Sequence, residues 1–419
     1  MAKTTKAKPK SPTSKSNNPV KLSSIIDVIS KKSKVVIENR KKVQEFISTG
    51  IYALDASISK SVTNGGIPRG KICLLAGPKA VGKTFIALNL VRNAQKAGDN
   101  IIWIDTESAI LLSDFDMYGI DTSNEDNFKL IKSSSVEDIK IFLAQLLGQL
   151  KDLKAKGVDT SKNFFVIDSI GALGSNKELE DALKGDIKVD MTRAKALNSL
   201  WRIIQSDLGY LGCTMLATNH VYLTMDMFPD VRMKGGEGGY YAASVIIFLS
   251  DAKLKTGDES SDDMSLGYSG NIVTAKTRKN RLAKPKKVKF EISHENGINP
   301  FKGLELFCTP ENFEQVGIAK VKPVVDNKTK QVTYSSSAQK YYVKHLDKSY
   351  YGKHLYNSKV FTPEVLKSLD PVANDYFRYP TYEEFQNEIS NFEIEIDEAI
   401  SDDIGGFEVD ELDDDKLFS

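Results

Sequence analysis

Eight residues, Gly77-Pro78-Lys79-Ala80-Val81-Gly82-Lys83-Thr84, constrain this chain more than any other stretch because of what flanks them. Ile72-Cys73-Leu74-Leu75-Ala76 precedes them, an apolar run of strand length, and Phe85 to Ala97 follows, with Leu88, Leu90 and Val91 on a helical repeat. Strand, glycine turn and helix in that order make a phosphate cradle. Glycines let successive backbone N–H groups close around an anion, and the helix presents its positive end to it. Lys83 is expected to reach the β/γ-phosphates of ATP, and the Thr84 hydroxyl to hold Mg²⁺. The alternative, a chance glycine-rich turn, would leave both flanks unexplained.

The rest of the chain is compatible with an ordinary globular protein. Its 419 residues can bury one large core and a smaller satellite, with 41% hydrophobic and 27% charged residues. No run of 18 apolar residues occurs, and the basic N-terminus lacks the apolar segment of a secretory signal. No membrane partner is expected, and the location is expected to be cytoplasmic. Cys73, Cys213 and Cys308 are scattered, as are the four histidines, which argues against a disulfide framework or structural zinc.

A net charge of +1 conceals a polarity along the chain. Residues 1–42 carry twelve Lys/Arg against Asp27 and Glu38, and from Glu393 onward twelve Asp/Glu face Lys416 alone. Such asymmetry suggests a basic arm for an anionic partner and an acidic tail that competes with that partner; two solvated tails are the alternative. Residues 1–21 are expected to be disordered. A capping pattern at Ser24-Ile25-Ile26-Asp27 opens a short helix, and Val35-Val36-Ile37 reads as a short strand. Apolar runs at 72–76, 101–104, 164–167, 213–218 and 245–249 alternate with helical patterns, the long ones filling 136–156 and 191–208. That alternation implies a mainly parallel sheet covered on both faces. Residues 252–270 read as a flexible excursion.

Two strands end in carboxylates. Phe164-Phe165-Val166-Ile167-Asp168-Ser169 puts an acid where a second Mg²⁺ ligand is needed beside a phosphate loop. Ile101-Ile102-Trp103-Ile104-Asp105-Thr106-Glu107 offers Glu107 to orient and deprotonate an attacking water, although an ordinary helix-start acid is as good a reading of that residue alone. Leu216-Ala217-Thr218-Asn219-His220 ends a fourth strand; His220 either senses the γ-phosphate or is structural. In the segment 221–239, Met227-Phe228-Pro229 precedes Gly235-Gly236-Glu237-Gly238-Gly239, which reads as a mobile loop. Its apolar tip is suited to insertion between bases, or serves as a buried anchor. The cluster Lys276, Arg278, Lys279, Arg281, Lys284, Lys286, Lys287 and Lys289 fits DNA-backbone contact, charge supplied to a neighbouring subunit's phosphate, or a solvated face.

Taken in order, these fragments resemble the RecA-type homologous-recombination ATPases, within them the bacteriophage recombination and repair branch, over roughly residues 46–305. The resembling fragments are Ile47-Ser48-Thr49-Gly50 with Leu54-Asp55, Gly65-Gly66-Ile67-Pro68-Arg69-Gly70, Gly77–Thr84, Asp105-Thr106-Glu107, Ile167-Asp168-Ser169, Asn219-His220, Gly235-Gly236 with Tyr241–Val245, Lys279–Pro285 and Gly297-Ile298-Asn299. The resemblance implies that Glu107 is the catalytic glutamate and that Asp168 belongs to the Mg²⁺ site. It implies that Lys279 and Arg281 reach a neighbouring subunit's γ-phosphate, and that Phe301 approaches a neighbour's adenine. Segments 176–191 and 221–239 correspond to two DNA-binding loops, the second with Met227, Phe228, Arg232, Lys234, Gly235 and Gly236 as contacts. Two positions depart from the bacterial pattern: His220 replaces Gln, and Arg281 replaces Lys. The adenine-stacking tyrosine of bacterial members falls at Asp114 by spacing, which leaves Phe115 as a guess. Residues 310–392 have no clear counterpart; Tyr341-Tyr342, Lys344, Tyr350-Tyr351 and Lys353 hint at a duplex-binding surface or an ordinary polar face.

The expected fold is α/β: a RecA-like phosphate-loop ATPase core (46–308) with a mainly parallel sheet. A basic arm (1–21) and a small N-terminal subunit-docking segment (22–45) precede it. A small C-terminal α/β region (309–392) and an acidic tail (393–419) follow. The expected activity is DNA-dependent ATP hydrolysis by a recombinase that forms helical filaments on single-stranded DNA and pairs it with duplex DNA. ATP would lie at the subunit interface, with a loading or mediator protein and a single-strand-binding protein as partners. A ring-forming motor of the same fold, or a scaffold that uses ATP only as a structural ligand, remain the alternatives.

Overall fold

The computed structural model describes residues 44–185, 192–225, 227–255, 268–326, 328–329, 331–337, 339–387 and 389, together with Ile26 and Ile29. The basic arm, the strand expected at 35–37, the acidic tail, residues 186–191 of the first expected DNA loop and 256–267 of the expected excursion lie outside them. The helix expected from Ser24 is represented only by Ile26 and Ile29, both helical. The chain divides into two units, Met1–Gln44 and Glu45–Ser419.

In the second unit, β1 (Phe46–Ile47) and β2 (Ile67–Pro68) form a short antiparallel ribbon. The main sheet contains β3 (Ile72–Gly77), β4 (Asn100–Asp105), β5 (Phe128–Lys132), β6 (Asn163–Asp168) and β7 (Thr214–Leu223), which folds back as β8 (Val231–Met233). It continues through β9 (Val245–Lys255), β10 (Tyr268–Asn280), β11 (Lys287–Ser293) and β12 (Gly297–Ile298). Six strands are parallel, in the order β9-β3-β7-β6-β4-β5, and β10, β11 and β12 extend the sheet antiparallel beyond β9.

The parallel strands are apolar on both faces because both are covered. Along β3, Cys73 and Leu75 enter one core with Leu88, Leu90 and Val91 of the helix Lys83–Lys96. Ile72, Leu74 and Ala76 enter a second core, with Leu143 and Leu147 of the helix Val136–Ala155 and Leu200 and Ile204 of the helix Thr192–Leu211. The α/β class and mainly parallel sheet expected from the sequence are thus present.

Two features differ from the expectation, and a third had no element assigned to it. Residues 252–255 and 268–270 are not loop; they are the paired outer ends of β9 and β10. The basic cluster lies on β10, β11 and the turn between them, strands whose lysines interrupt the apolar runs. The boundary placed after Cys308 falls inside a shared core. The helix Pro363–Phe377 buries Leu366, Leu369 and Phe377 in the same cluster as Leu54 and Ile58 of the helix Tyr52–Ser59. Asp370 also accepts hydrogen bonds from the Val62 backbone N–H (2.6 Å) and the Ser61 hydroxyl (2.9 Å).

Beyond the main sheet, β13 (Ile318–Ala319) precedes the hairpin β14 (Val321–Val325) and β15 (Val332–Ser336). β16 (Lys340–Val343) and β17 (Lys348–Tyr351) complete a three-stranded sheet with β13.

Candidate functional site

Strand register brings the chemistry to one edge. At the carboxyl ends of the parallel strands, Asp105 pairs with Asp168, Leu75 with Thr218 and Gly77 with His220. β3 delivers the phosphate loop, β4 Glu107, β6 Asp168 and β7 His220 to the crevice where open α/β sheets bind ligands. A cavity of about 520 Å³ is lined there by Lys79, Ala80, Gly82, Lys83, Thr84, Glu107, Asp168 and His220, with Phe85, Leu88 and Tyr118. Of the expected loop residues, Gly77, Pro78 and Val81 frame the turn without lining this cavity.

The loop has the shape an anion needs. Ala80 (φ 59°) and Gly82 (φ 98°) are left-handed, and this alternation turns backbone N–H groups inward. Lys83 is buried, and its ammonium donates to the carbonyls of Gly77 (3.1 Å) and Pro78 (2.7 Å). Burial lowers its pKa, while Asp168 and Glu107 favour the charged form.

The Thr84 hydroxyl donates to Asp168 Oδ2 (2.7 Å), and Thr218 donates to the other oxygen of the same carboxylate. Burial raises the Asp168 pKa, opposed by these two hydroxyls and by Lys83. Among the described residues no group of three or more His, Cys, Asp or Glu side chains could hold a metal alone. A hydroxyl and a carboxylate beside a phosphate cradle fit Mg²⁺, which keeps waters and takes the remaining ligands from phosphate.

Glu107 Oε1 accepts from the Ser169 hydroxyl (2.6 Å) and lies 3.2 Å from His220 Nε2. The Ser169 hydrogen bond, then His220, holds its carboxyl below the usual range despite partial burial. Its backbone is fixed by Asp105, whose carboxylate accepts from the N–H groups of Glu107 and Ala109. Glu107 is therefore anchored, charged and exposed to the cavity.

His220 leads directly into the expected DNA loop. Lys234 N donates to His220 O (3.0 Å), and the Asn219 amide donates to Lys234 O (2.8 Å). The segment 221–239 differs from the expected structureless loop, since β7 and β8 pair from Val221↔Met233 to Leu223↔Val231 and make it a hairpin. Its tip carries the exposed Met225, Met227 (90%) and Phe228 (84%). Arg232, Lys234 and Gly236 are exposed at its base. Gly235 (φ 90°) turns the chain where a Cβ would lie 2.8 Å from Leu197. In the other expected DNA loop, Asn176–Leu183 is helical.

Lys279, Arg281 and Phe301 do not join this cavity. Val245 pairs with both Cys73 and Asn280, so the two cations stand beside the start of β3, roughly 13 Å behind its carboxyl end at about 3.3 Å per residue. The Lys279 ammonium donates to Tyr240 O (2.6 Å), and Arg281 is exposed. Phe301 stacks on Phe361 (5.7 Å) and beside Tyr52 (5.6 Å).

Phe115 is wholly buried against Trp103 and Phe128 and is unavailable to a base, which corrects the guess made from spacing. Tyr118, four residues beyond Asp114, lines the cavity instead and packs edge-on against Phe85 (5.2 Å). Sequence reasoning missed Tyr118, Thr218 and Ser169 as site groups. Only the polar ends of the β6 and β7 runs signalled the last two.

Comparison with known proteins gives the same picture. The RecA N-terminal domain family matches residues 20–299. The recombination and repair protein of Enterobacteria phage T4 is 28% identical over 264 residues, 62% of this chain and 62% of its own length. The RecA protein of a Nostoc species is 27% identical over 278 residues, 65% of this chain and 69% of that protein. That of Acidothermus cellulolyticus is 29% identical over 259 residues, 61% and 67% respectively. The chain thus spans just under two thirds of the phage relative's length.

Proposed function

This chain belongs to the RecA N-terminal domain family, and from that premise we propose that it is an ATP-dependent DNA recombinase. In this reading it assembles as a filament on single-stranded DNA and pairs that strand with homologous duplex. One observation carries it: the strand that brings His220 to Glu107 continues, through backbone and Asn219 hydrogen bonds to Lys234, into an exposed apolar hairpin. Nucleotide chemistry and base-stacking surface occupy two ends of one element.

ATP binds with its phosphates in the 77–84 cradle, and Tyr118 and Phe85 bound the space for the base. Thr84 and Asp168 would hold Mg²⁺, which would supply positive charge to the phosphates as negative charge develops on them. Glu107 aligns the water that attacks the γ-phosphorus in line with the departing ADP oxygen, and takes its proton. A carboxyl held below the usual range is a weak base, so its chief contribution is orientation. Loss of the γ-phosphate changes the His220 contacts and thereby the hairpin's grip on DNA. DNA and ATP then strengthen each other's binding, as linkage requires.

Lys279 and Arg281 stand near the opposite end of β3 from their own loop, which supports a role on a neighbour's nucleotide, with Phe301 near that neighbour's base. Residues 22–45 dock on the next subunit. Residues 318–359 hold nine lysines, no arginine and only two acids, Asp326 and Asp347, which suits sequence-independent contact with a duplex backbone. The acidic tail competes for such sites or recruits a loading factor. Among the described residues no helix is long and apolar enough to cross a membrane.

The test is electron microscopy with single-stranded DNA and a non-hydrolysable ATP analogue. Open helical filaments are expected from the parent chain and none from Lys83→Ala. Closed rings that unwind duplex would replace this reading with a translocase; equal assembly by Lys83→Ala would remove the phosphate loop from it.

A further inference from the structure

The phosphate loop is supported from below by a row of three side chains on the antiparallel extension of the sheet. Lys253 on β9, Asn271 on β10 and Ile292 on β11 are direct cross-strand partners. Cross-strand partners share a sheet face, so all three look the same way. The Asn271 amide donates to Ala80 O (3.0 Å), and its own carbonyl accepts from the Lys253 ammonium (3.1 Å). Ile292 Cδ1 lies where a Cβ on Gly82 would come within 2.4 Å, so its methyl closes against the loop's second left-handed residue. Asn271 is only 7% exposed. A buried amide is costly unless both its ends are paired, and here both are.

We propose that Asn271 is a positioning residue that holds the phosphate loop in its nucleotide-binding shape; the inference rests on the function proposed above. Ala80 is the key to it. Its φ of 59° is left-handed, a conformation that the Cβ of an L-residue disfavours and that must be held by its surroundings. The Asn271 bond is that hold. A trans peptide sets its C=O and N–H in opposite directions, so anchoring Ala80 O on β10 turns the Val81 N–H away from the sheet extension. A free loop would pay this ordering when the nucleotide arrives; a held loop has it already. Asn271 touches no reacting atom, so its effect belongs in nucleotide affinity and not in the chemical step.

The experiment measures ATP binding at equilibrium, KM and kcat for hydrolysis, and thermal unfolding. It uses the full chain and the variants Asn271→Ala, Asn271→Asp and Asn271→Ala/Ala80→Gly. Asn271→Ala is expected to weaken ATP binding and raise KM by about three- to tenfold, the weight of one hydrogen bond, with kcat within about twofold. Asn271→Asp keeps the size but sets an acceptor against the Ala80 carbonyl, so it should be at least as weak. Glycine adopts the left-handed form without a Cβ penalty. Adding Ala80→Gly should therefore return KM toward the parent value, which a general loss of stability would not allow.

Unchanged ATP affinity in both single variants, with the parent still binding ATP, would overturn the role of Asn271 and leave the recombinase reading intact. So would a double variant no better than Asn271→Ala. A parent chain that binds no ATP would overturn both. If Asn271→Ala does not fold, Asn271→Asp measured against the parent carries the same comparison.

Discussion

At the scale of single residues, the site separates groups that bind from groups that act. Glu107 hydrogen-bonds Ser169 and His220, whereas Lys83 donates to the carbonyls of Gly77 and Pro78, so the two groups are linked only through their charges. Glu107→Gln should therefore keep ATP and DNA binding but hydrolyse about 10²–10⁴-fold more slowly, the usual span for a lost general base. Near-normal phosphate release from the variant would show that another group orients the water. Asp55 provides a separate test of the core. It is buried, accepting from the Thr49 N–H and hydroxyl (both 2.7 Å), and burial pushes its pKa from 3.8 up to about 6. A carboxyl whose folded pKa is raised contributes most below its unfolded value and loses that contribution as pH rises through the folded one. Relative to Asp55→Asn, the parent should lose up to about 3 kcal/mol between roughly pH 4 and pH 6, from about 1.4 kcal/mol per unit. Urea unfolding of both proteins at the two ends of that window measures it. A constant difference between them would mean that Asp55 titrates normally.

At the scale of elements, the hairpin β7–β8 is the part whose function its shape best defines. Met227 and Phe228 are almost fully exposed, so their removal costs the fold little. Met227→Ser/Phe228→Ser should weaken single-stranded DNA binding about tenfold or more, since stacking on a side chain is worth about 1–3 kcal/mol per base. Its salt dependence should stay the same. Arg232→Ala/Lys234→Ala should instead flatten the slope of log affinity against log salt by roughly 0.7 per cation. If both pairs changed the slope equally, the apolar tip would not be contacting bases. This hairpin also shows where sequence reading stops. Its glycines read as a mobile loop, and the pairing of Val221 with Met233, which makes it a hairpin, depends on contacts twelve residues apart. β4, β6 and β7 were legible because each is a nearly unbroken apolar run ending in polar groups at the site, whereas β5, Phe128–Lys132, was not read because its lysines interrupt it. β10 and β11 were not, because the apolar Val273, Ala275, Val288 and Phe290 alternate with lysines and threonines that read as a charge cluster. Asp168 and His220 could be placed by counting from strand ends. Tyr118 could not, because its position follows from how the helix Leu112–Met117 ends.

At the scale of the whole molecule, the sheet sets the two halves of the proposed reaction apart. The phosphate loop and Glu107 lie at the carboxyl edge of the parallel strands, while Lys279 and Arg281 lie toward the opposite edge, where Asn280 pairs with Val245. One protomer therefore cannot close its own site with these cations unless the sheet rearranges, and in the proposed filament a head-to-tail neighbour would supply them instead. Heterologous contacts of that kind propagate into helical filaments when they do not close into a ring. Lys279→Ala/Arg281→Ala should still bind ATP and assemble on DNA at saturating protein but hydrolyse far below the parent rate. Mixing is the decisive measurement. Protomers carrying Glu107→Gln retain both cations, and protomers carrying Lys279→Ala/Arg281→Ala retain Glu107. Where the second type supplies the loop and the first supplies the cations, a complete site forms. Random co-assembly of equal amounts should make about one interface in four complete, because heterologous interfaces combine two independent protomers. Two nearly inactive proteins would then recover up to about a quarter of the parent ATPase rate when mixed on DNA. A mixture no more active than its separate parts, despite filaments containing both, would place the cations outside the reaction and remove the shared interface from the mechanism.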